Sequence, residues 1–410
     1  MIKVREGYKN SEVGVIPVEW EVVELDDIVE FKNGKGHEKV IDESGQYIVV
    51  NSKFIASSGN VYKSSNSNLS PLKQNDIVLV MSDIPNGKAL AKCFYIEKDN
   101  RYTLNQRICS LKAIQDNPLF LFYRLNRNRY FLKFNDGVNQ TNLRKNEVLE
   151  CKIPLPPLKE QEKIADILST ADEKIDAIEL QIQKAHTLKK GLLQKLLSEG
   201  IGHSEFKDSE LGKIPESWEV VELPPITDKI TSGGTPSRKK AEYFKNGTVN
   251  WIKTGELRDC YIYNSKEKIT EEAVANSSAK VFPVDTLLIA MYGATIGRTA
   301  YLKTECSTNQ ACCAIIFNQS IANPYFYWKY FHFIKDDLIS QGRGAGQPNI
   351  SQAIIKTLLI PLPPLKEQKQ IASILTTADE KLEVLRAKKE KYETLKKGLL
   401  QKLLSGEIRV

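Results

Sequence analysis

Residues 153–198 read IPLPPLKEQEKIADILSTADEKIDAIELQIQKAHTLKKGLLQKLLS, and residues 360–405 read IPLPPLKEQKQIASILTTADEKLEVLRAKKEKYETLKKGLLQKLLS. The two stretches lie 207 positions apart and are identical at 31 of 46 aligned positions. A repeat of this period constrains the architecture before any local reading does. Each copy opens on a proline-rich lead, Pro154, Pro156 and Pro157 in one and Pro361, Pro363 and Pro364 in the other. Proline presets φ and lacks an N–H that the first turn of a helix does not use, so PPLKEQ reads as a helix start. Glu160 and Glu367 stand near the positive end of the expected helix dipole, and Lys189, Lys190 and Lys195 near the negative end.

Apolar residues then recur at Ile164, Leu168, Ala171, Ile175, Ile178, Ile182, Ala185, Leu188, Leu192 and Leu196. The spacing alternates mostly between four and three, which is a coiled-coil seam. The second copy keeps it with Ile371, Leu375, Ala378, Leu382, Leu385, Tyr392, Leu395, Leu399 and Leu403, and places Lys389 where Ile182 would be. A seam needs a partner, and the nearest is the other copy. Forty-two residues from Pro157 to Ser198 make a helix of about 60 Å. The domain between the copies should be only about 40 Å across. A parallel pair would force that domain to bridge the full helix, so antiparallel packing is expected, with one globular domain at each end.

A second repeat precedes each helix. SEVGVIPVEWEVVELDDI at 11–28 matches SELGKIPESWEVVELPPI at 209–226 in 12 of 18 positions, offset by 198. The unit is therefore a lead-in, a variable domain and a long helix, with the second variable domain nine residues longer. The expected boundaries are 1–152, 153–201, 202–359 and 360–410. The variable domains share landmarks: NDIVLV from Asn75 and VDTLLIA from Val284, then Asn105–Gln106 and Asn309–Gln310 beside RICSLKA and ACCAIIF. NPLFLFYRL and NPYFYWKYF follow, then GVNQTNL and GAGQPNI. Both domains read as mixed α/β with short strands and Gly/Ser/Asn turns.

The 410 residues carry 58 Lys and Arg against 51 Asp and Glu, a net charge of +7 that permits nucleic acid as a partner without requiring it. Seven cysteines form no CxxC pair and the four histidines show no ligand spacing, so no zinc site is expected. No signal core or 18-residue apolar run is present, which suggests a cytoplasmic protein. Asn117-PLF and Asn323-PYF approach the Asn–Pro–Pro–aromatic loop of amino-methyltransferases but lack its second proline. Asn as N-cap with Pro at the first helical position explains them better. The Gly-rich TSGGTPS from Thr231 and QGRGAGQ from Gln341 do not match a phosphate-binding GxxxxGK[ST] loop. Arg238, Lys239, Lys240 and Arg343 beside or within them suit a loop passing near a nucleic-acid backbone.

With these motifs together, the chain resembles the DNA specificity subunit of type I restriction–modification systems. The resemblance spans nearly all 410 residues. It rests on the duplicated IPLPPLKEQ…LKKGLLQKLLS, the Ile–Pro–x–x–Trp–Glu–Val–Val lead-in and TSGGTPSRKKAEYFKNGTVNWIKTGEL at 231–257; the first variable domain lacks the SGGTP run. It implies an α+β fold: two α/β target-recognition domains separated by two long helices packed as an antiparallel coiled coil, a pseudo-two-fold internal repeat. It implies that each variable domain reads half of a bipartite asymmetric site in double-stranded DNA, while the helices set the unread spacer and dock two methyltransferase subunits. Restriction subunits would join these. S-adenosylmethionine, ATP and magnesium would sit on the partners, with no cofactor and no catalysis in this chain. A self-contained DNA-modifying enzyme and a coiled-coil protein adaptor are the competing readings.

Polar loop residues are the candidates for DNA contact: Lys35, Lys53, Lys88, Asn105 and Arg107 in the first domain. Ser232, Thr235, Arg238, Lys239, Arg258, Arg298 and Arg343 are those of the second. Identity between the helix copies outside the seam suggests an exposed docking face at Lys159, Glu160 and Gln161 and at Lys366, Glu367 and Gln368.

Overall fold

The structure, a computed structural model, describes residues 5–84, 87–342 and 349–410. The chain divides into two units, Met1–Glu179 with Ala387–Val410, and Leu180–Arg386. Each combines one variable domain with the first half of the helix that follows it and the second half of the other long helix.

The lead-in explains itself in both units. A hairpin, Tyr8–Ser11 with Gly14–Pro17, precedes Glu21–Glu24, which pairs antiparallel with Lys152–Leu155. In the second unit Phe206–Ser209 and Gly212–Pro215 precede Glu219–Glu222, which pairs with Leu359–Leu362. The strand opening each variable domain therefore holds the strand closing it. Trp20 and Trp218, one residue before these strands, are fully buried.

Four helices matter for the site: α1 (Pro118–Leu125), α2 (Leu158–Ser198), α3 (Pro324–Phe333) and α4 (Leu365–Leu404). The capping reading of the Asn–Pro pairs holds. Asn117 Oδ1 accepts from the Phe120 amide at 2.9 Å, and Asn323 Oδ1 from that of Phe326 at 3.0 Å. The long helices run antiparallel within each unit. In the first, Lys396 pairs with Asp172, and Lys389, seven residues earlier, with Glu179, seven residues later (2.7 Å). In the second, Lys189 pairs with Asp379 and His186 meets Arg386.

The seam departs from the expected one at Leu188 and Leu395, which are 58 % and 54 % exposed. Their neighbours Lys189 and Lys396 turn inward instead, to Asp379 and Asp172. Those carboxylates also accept from Tyr325 (2.9 Å) and Tyr123 (2.8 Å). A part-buried carboxylate needs a cation more than the seam needs one more leucine.

The docking face is corrected as well. Lys159 and Lys366 are exposed, but Glu160, Gln161, Glu367 and Gln368 are buried. Glu160 accepts from Trp20 Nε1 (3.1 Å) and Arg409 Nε (2.6 Å); Glu367 accepts from Trp218 Nε1 (3.0 Å) and the Ile201 amide (2.9 Å). Gln161 Oε1 accepts from the Asn117 amide (3.0 Å) and Gln368 Oε1 from that of Asn323 (2.7 Å). Identity between the copies here records an internal clamp.

Six strands of each variable domain correspond. In the first unit they are β1 (Val29–Asn33), β2 (Tyr47–Val50), β3 (Ile77–Val80), β4 (Cys93–Tyr95), β5 (Tyr102–Leu104) and β6 (Ile108–Ala113). In the second they are β7 (Thr227–Ser232), β8 (Val249–Ile252), β9 (Leu287–Ala290), β10 (Thr299–Leu302), β11 (Cys306–Thr308) and β12 (Cys312–Phe317). The central sheets run β1-β6-β3-β4 and β7-β12-β9-β10, antiparallel, and the second continues into a parallel strand, Cys260–Ile262. A smaller sheet in each holds a parallel pair, β2 with β5 and β8 with β11. Asn33 faces Cys109 and Ser232 faces Cys313; Ile77 faces Leu111 and Leu287 faces Ile315. Those pairings align the two domains residue by residue.

Glu160→Ala should cost about 2–3 kcal/mol of unfolding free energy, because it strands a buried indole N–H and leaves Arg409 only its exposed partner Glu19. Lys159→Ala should stay within about 0.5 kcal/mol. Denaturant titration of both variants checks the contrast, and equal losses would contradict the clamp.

Candidate nucleic-acid interface

In the first unit the chain leaving β1 runs back across the start of β6. The Gly34 amide donates to Ile108 O (3.1 Å), the Lys35 amide to Leu104 O (3.1 Å), and the Gln106 amide to Lys35 O (3.0 Å). His37 is buried beneath this crossing. Its Nδ1 lies 2.7 Å from Lys35 O, which can only accept, so Nδ1 carries a proton, and Nε2 stands 2.8 Å from Thr103 Oγ1. Three of the sequence candidates, Lys35, Asn105 and Arg107, thus meet in one place. Lys35 and Arg107 are exposed, and Arg107 takes a left-handed φ of 69°. Lys53 is exposed on the Ser52–Ala56 helix, just past Val50, whose carbonyl accepts from the Asn105 amide at 3.1 Å. Lys88 is exposed in a separate loop, where its carbonyl accepts from Arg127 Nη1 (3.1 Å).

The second unit repeats the crossing with other residues. The Gly234 amide donates to Thr308 O at 2.9 Å, the counterpart of Lys35 on Leu104. Thr235 Oγ1 donates to Gln310 Oε1 at 2.5 Å, and Gln352 Nε2 donates to Ser232 Oγ. NGKG therefore occupies the place of SGGT, which the sequence alone does not reveal.

Arg238 forms a two-point ion pair with Glu267, its Nη2 at 3.1 Å from Oε2. Its guanidinium lies over Phe244 (4.2 Å) and Trp251 (4.9 Å). Lys253 reaches the same carboxylate at 2.9 Å. The Arg238 pair, with Lys253 behind it, holds the Glu267 carboxyl down at about 2. Two cations on one anion leave a net positive edge, and Lys239 and Lys240 stand exposed beside it. Lys253 and the two rings beneath Arg238 were missed by the sequence reading, since nothing in their spacing marks them.

Arg258 and Arg298 are exposed and each precedes one partner of the Asp259 N–Thr299 O hydrogen bond (2.9 Å). Burial acts to raise the Asp259 carboxyl, but Lys335 (2.7 Å) and the Thr299 amide (2.8 Å) outweigh it and hold it below the usual range. Trp328 and His332 of α3 both bond Thr299 Oγ1, at 2.9 and 2.6 Å. Burial, aided by Lys329, pushes His332 well below the imidazole range. This network seats the two arginine loops on α3. Arg343 and most of GAGQPNI fall outside the described residues.

Exposed guanidinium, ammonium and amide groups on short loops can contact phosphates and base edges. Among the described residues no three His, Cys, Asp or Glu are grouped to hold a metal ion, and no helix is long and apolar enough to cross a membrane.

The profile of the family described as type I restriction modification DNA specificity domain matches residues 17–186 and 215–394. The type I restriction enzyme MjaVIII specificity subunit of Methanocaldococcus jannaschii is 31 % identical over 99 % of this chain and 96 % of its own. The crystal structure of the type I restriction–modification S subunit from M. genitalium superposes with a TM-score of 0.63 at 18 % identity, covering 98 % of both chains. A structure from work on complex assembly and conformational transition of the type I system gives 0.57 at 19 %, covering 96 % of this chain and 99 % of the other.

Glu267 is depressed in the folded state, so its stabilising contribution is complete above its ordinary value near 4.5 and disappears as the pH falls towards about 2. The difference in melting temperature between the protein and Glu267→Gln should therefore be constant from neutral pH to about 5 and close below it. A gap that persisted at pH 2 would show that the carboxylate charge is not what stabilises.

Proposed function

The chain belongs to the type I restriction–modification DNA specificity family and is a specificity subunit, from which we propose that each unit reads one half of a bipartite, asymmetric DNA target. The carrying observation is that β1–β6 and β7–β12 share one register while the residues projecting from them differ. One scaffold with two surfaces suits two different half-sites. Lysines and arginines around the crossings engage phosphates, and the amides and hydroxyls at the centre meet base edges.

On this reading the chain supplies recognition and no catalysis. The methyl donor, ATP and magnesium belong to partner subunits, the long helices set the unread spacer, and two modification subunits dock on them, with restriction subunits joining. Of the six residues expected at that docking face, only Lys159 and Lys366 are exposed; docking through the other four would first break the internal clamps.

With modification subunits and labelled methyl donor, the chain should direct methylation to one bipartite motif, and alone it should transfer no methyl group. Replacing residues 227–358, which run from β7 to the closing strand, by a relative's segment should change one half of that motif. Sequencing of modified bases reads the result, and a change in both halves would mean that the units read jointly.

A further inference from the structure

Asn105–Gln106 and Asn309–Gln310 occupy the same register in their units, four residues before the paired positions Cys109 and Cys313. In each the asparagine is structural. Its amide donates to the end of the parallel strand beside it, Val50 O at 3.1 Å or Ile252 O at 3.0 Å. Its side chain faces inward, Asn105 Oδ1 lying 3.3 Å from His37 Nδ1 and Asn309 Oδ1 accepting from Cys312 Sγ at 3.3 Å. The glutamine is exposed in both units, and one end of its amide is held by the crossing loop. The held ends differ. Gln106 Nε2 donates to Glu38 Oε1 at 2.5 Å; a carboxylate can only accept, so Gln106 turns its carbonyl outward. Gln310 Oε1 instead accepts from Thr235 Oγ1 at 2.5 Å, which leaves its NH₂ outward.

We propose that Gln106 and Gln310 are the equivalent base-reading residues of the two units, and that Glu38 and Thr235 make them present opposite ends of the same amide. The proposal rests on the reading of each unit as the reader of one half-site. In the major groove an outward carbonyl selects a donor edge, adenine N6 or cytosine N4. An outward NH₂ selects an acceptor edge, guanine O6 or N7 or thymine O4. One residue type thereby reads different bases in the two halves, and Glu38 and Thr235 act as positioning residues.

The test maps the motif methylated by the assembled complex of this chain with its modification subunits, for the wild type, Gln106→Ala, Gln310→Ala and Glu38→Lys. Gln106→Ala should relax discrimination at one base pair of one half by about 2- to 10-fold, as for a single hydrogen bond, and Gln310→Ala at one base pair of the other half. Glu38→Lys, whose ammonium can only donate, should turn the Gln106 amide over and shift the preference at that same base pair from a donor to an acceptor edge. An unchanged motif in active alanine variants, or relaxation in both halves from one substitution, overturns the proposal. For an inactive variant with a native circular dichroism spectrum, binding to target and scrambled duplex at one salt concentration decides: lost preference supports the assignment and retained preference sinks it. A wild-type complex that marks no bipartite motif would refute the functional reading instead, which keeps the two failures distinct.

Discussion

An indole N–H donating to a buried carboxylate at the start of a long helix is the contact on which each unit turns. Trp20 meets Glu160 across 140 residues of sequence, and Trp218 meets Glu367 across 149. A carboxylate taken out of water is tolerated only with donors and countercharge around it. The two units supply these differently. In the first, Arg409 brings Nε to 2.6 Å and Nη2 to 2.9 Å; in the second, the Ile201 amide and His203 stand at 2.9 and 2.8 Å. In both, the segment just past the end of a long helix folds over the tryptophan. One cluster thus fastens the lead-in, the start of one helix and the end of the other, and the variable domain is closed at its base whatever its length. Closure entropy grows only slowly with loop length, so nine more residues in the second domain are easily accommodated.

The central sheets absorb that difference without losing register. β3 and β9 are buried on both faces, as are most of β6 and β12, so a slip of one residue would exchange side chains between the two cores packed on either side of the sheet. The second unit differs at the margins, where Cys260–Ile262 extends the central sheet and Val281–Phe282 the smaller one. Its network of Asp259, Thr299, Trp328 and His332 fixes loops whose counterparts the first unit holds through Asp83, Asn126 and Arg127. The buried frame is shared, and the loops are where the units diverge.

What could be read from the sequence was what depends on neighbours along the chain. The Asn–Pro caps of α1 and α3 are local chemistry, and the duplicated helices betray themselves by period. Leu188 and Leu395 were misplaced because periodicity names a face without saying which neighbour will claim it. There the claim came from Asp379 and Asp172, each already bonded to a tyrosine and still requiring a cation. Glu160 and Gln161 misled for a related reason: identity between two copies is what an internal clamp and a docking face both produce, and only burial separates them. Asn105 was singled out and Gln106 passed over, although the pair was noticed in both domains. Which of two adjacent amides faces outward depends on a backbone pairing with Val50 that no local pattern encodes.

The crossing loops show how recognition can change while the fold does not. A Cβ on Gly34 would lie 1.9 Å from Asn105 O, and one on Gly233 2.1 Å from Thr308 O. No side chain fits where the two segments touch, so glycine is required at that place in both units. The next position is open in the first unit, where it carries Lys35, but in the second a Cβ on Gly234 would lie 2.3 Å from Ser278 O. Lys35 is matched by Gly234, Gly36 by Thr235 and Arg107 by Ala311, and the bond from the Lys35 amide to Leu104 O is kept as that from the Gly234 amide to Thr308 O. Substitution is therefore barred where the backbones meet and open at the exposed positions beside them, Lys35, Thr235 and Arg107. That asymmetry follows from steric contact alone, and it allows two units of one ancestry to present different chemistry from the same frame.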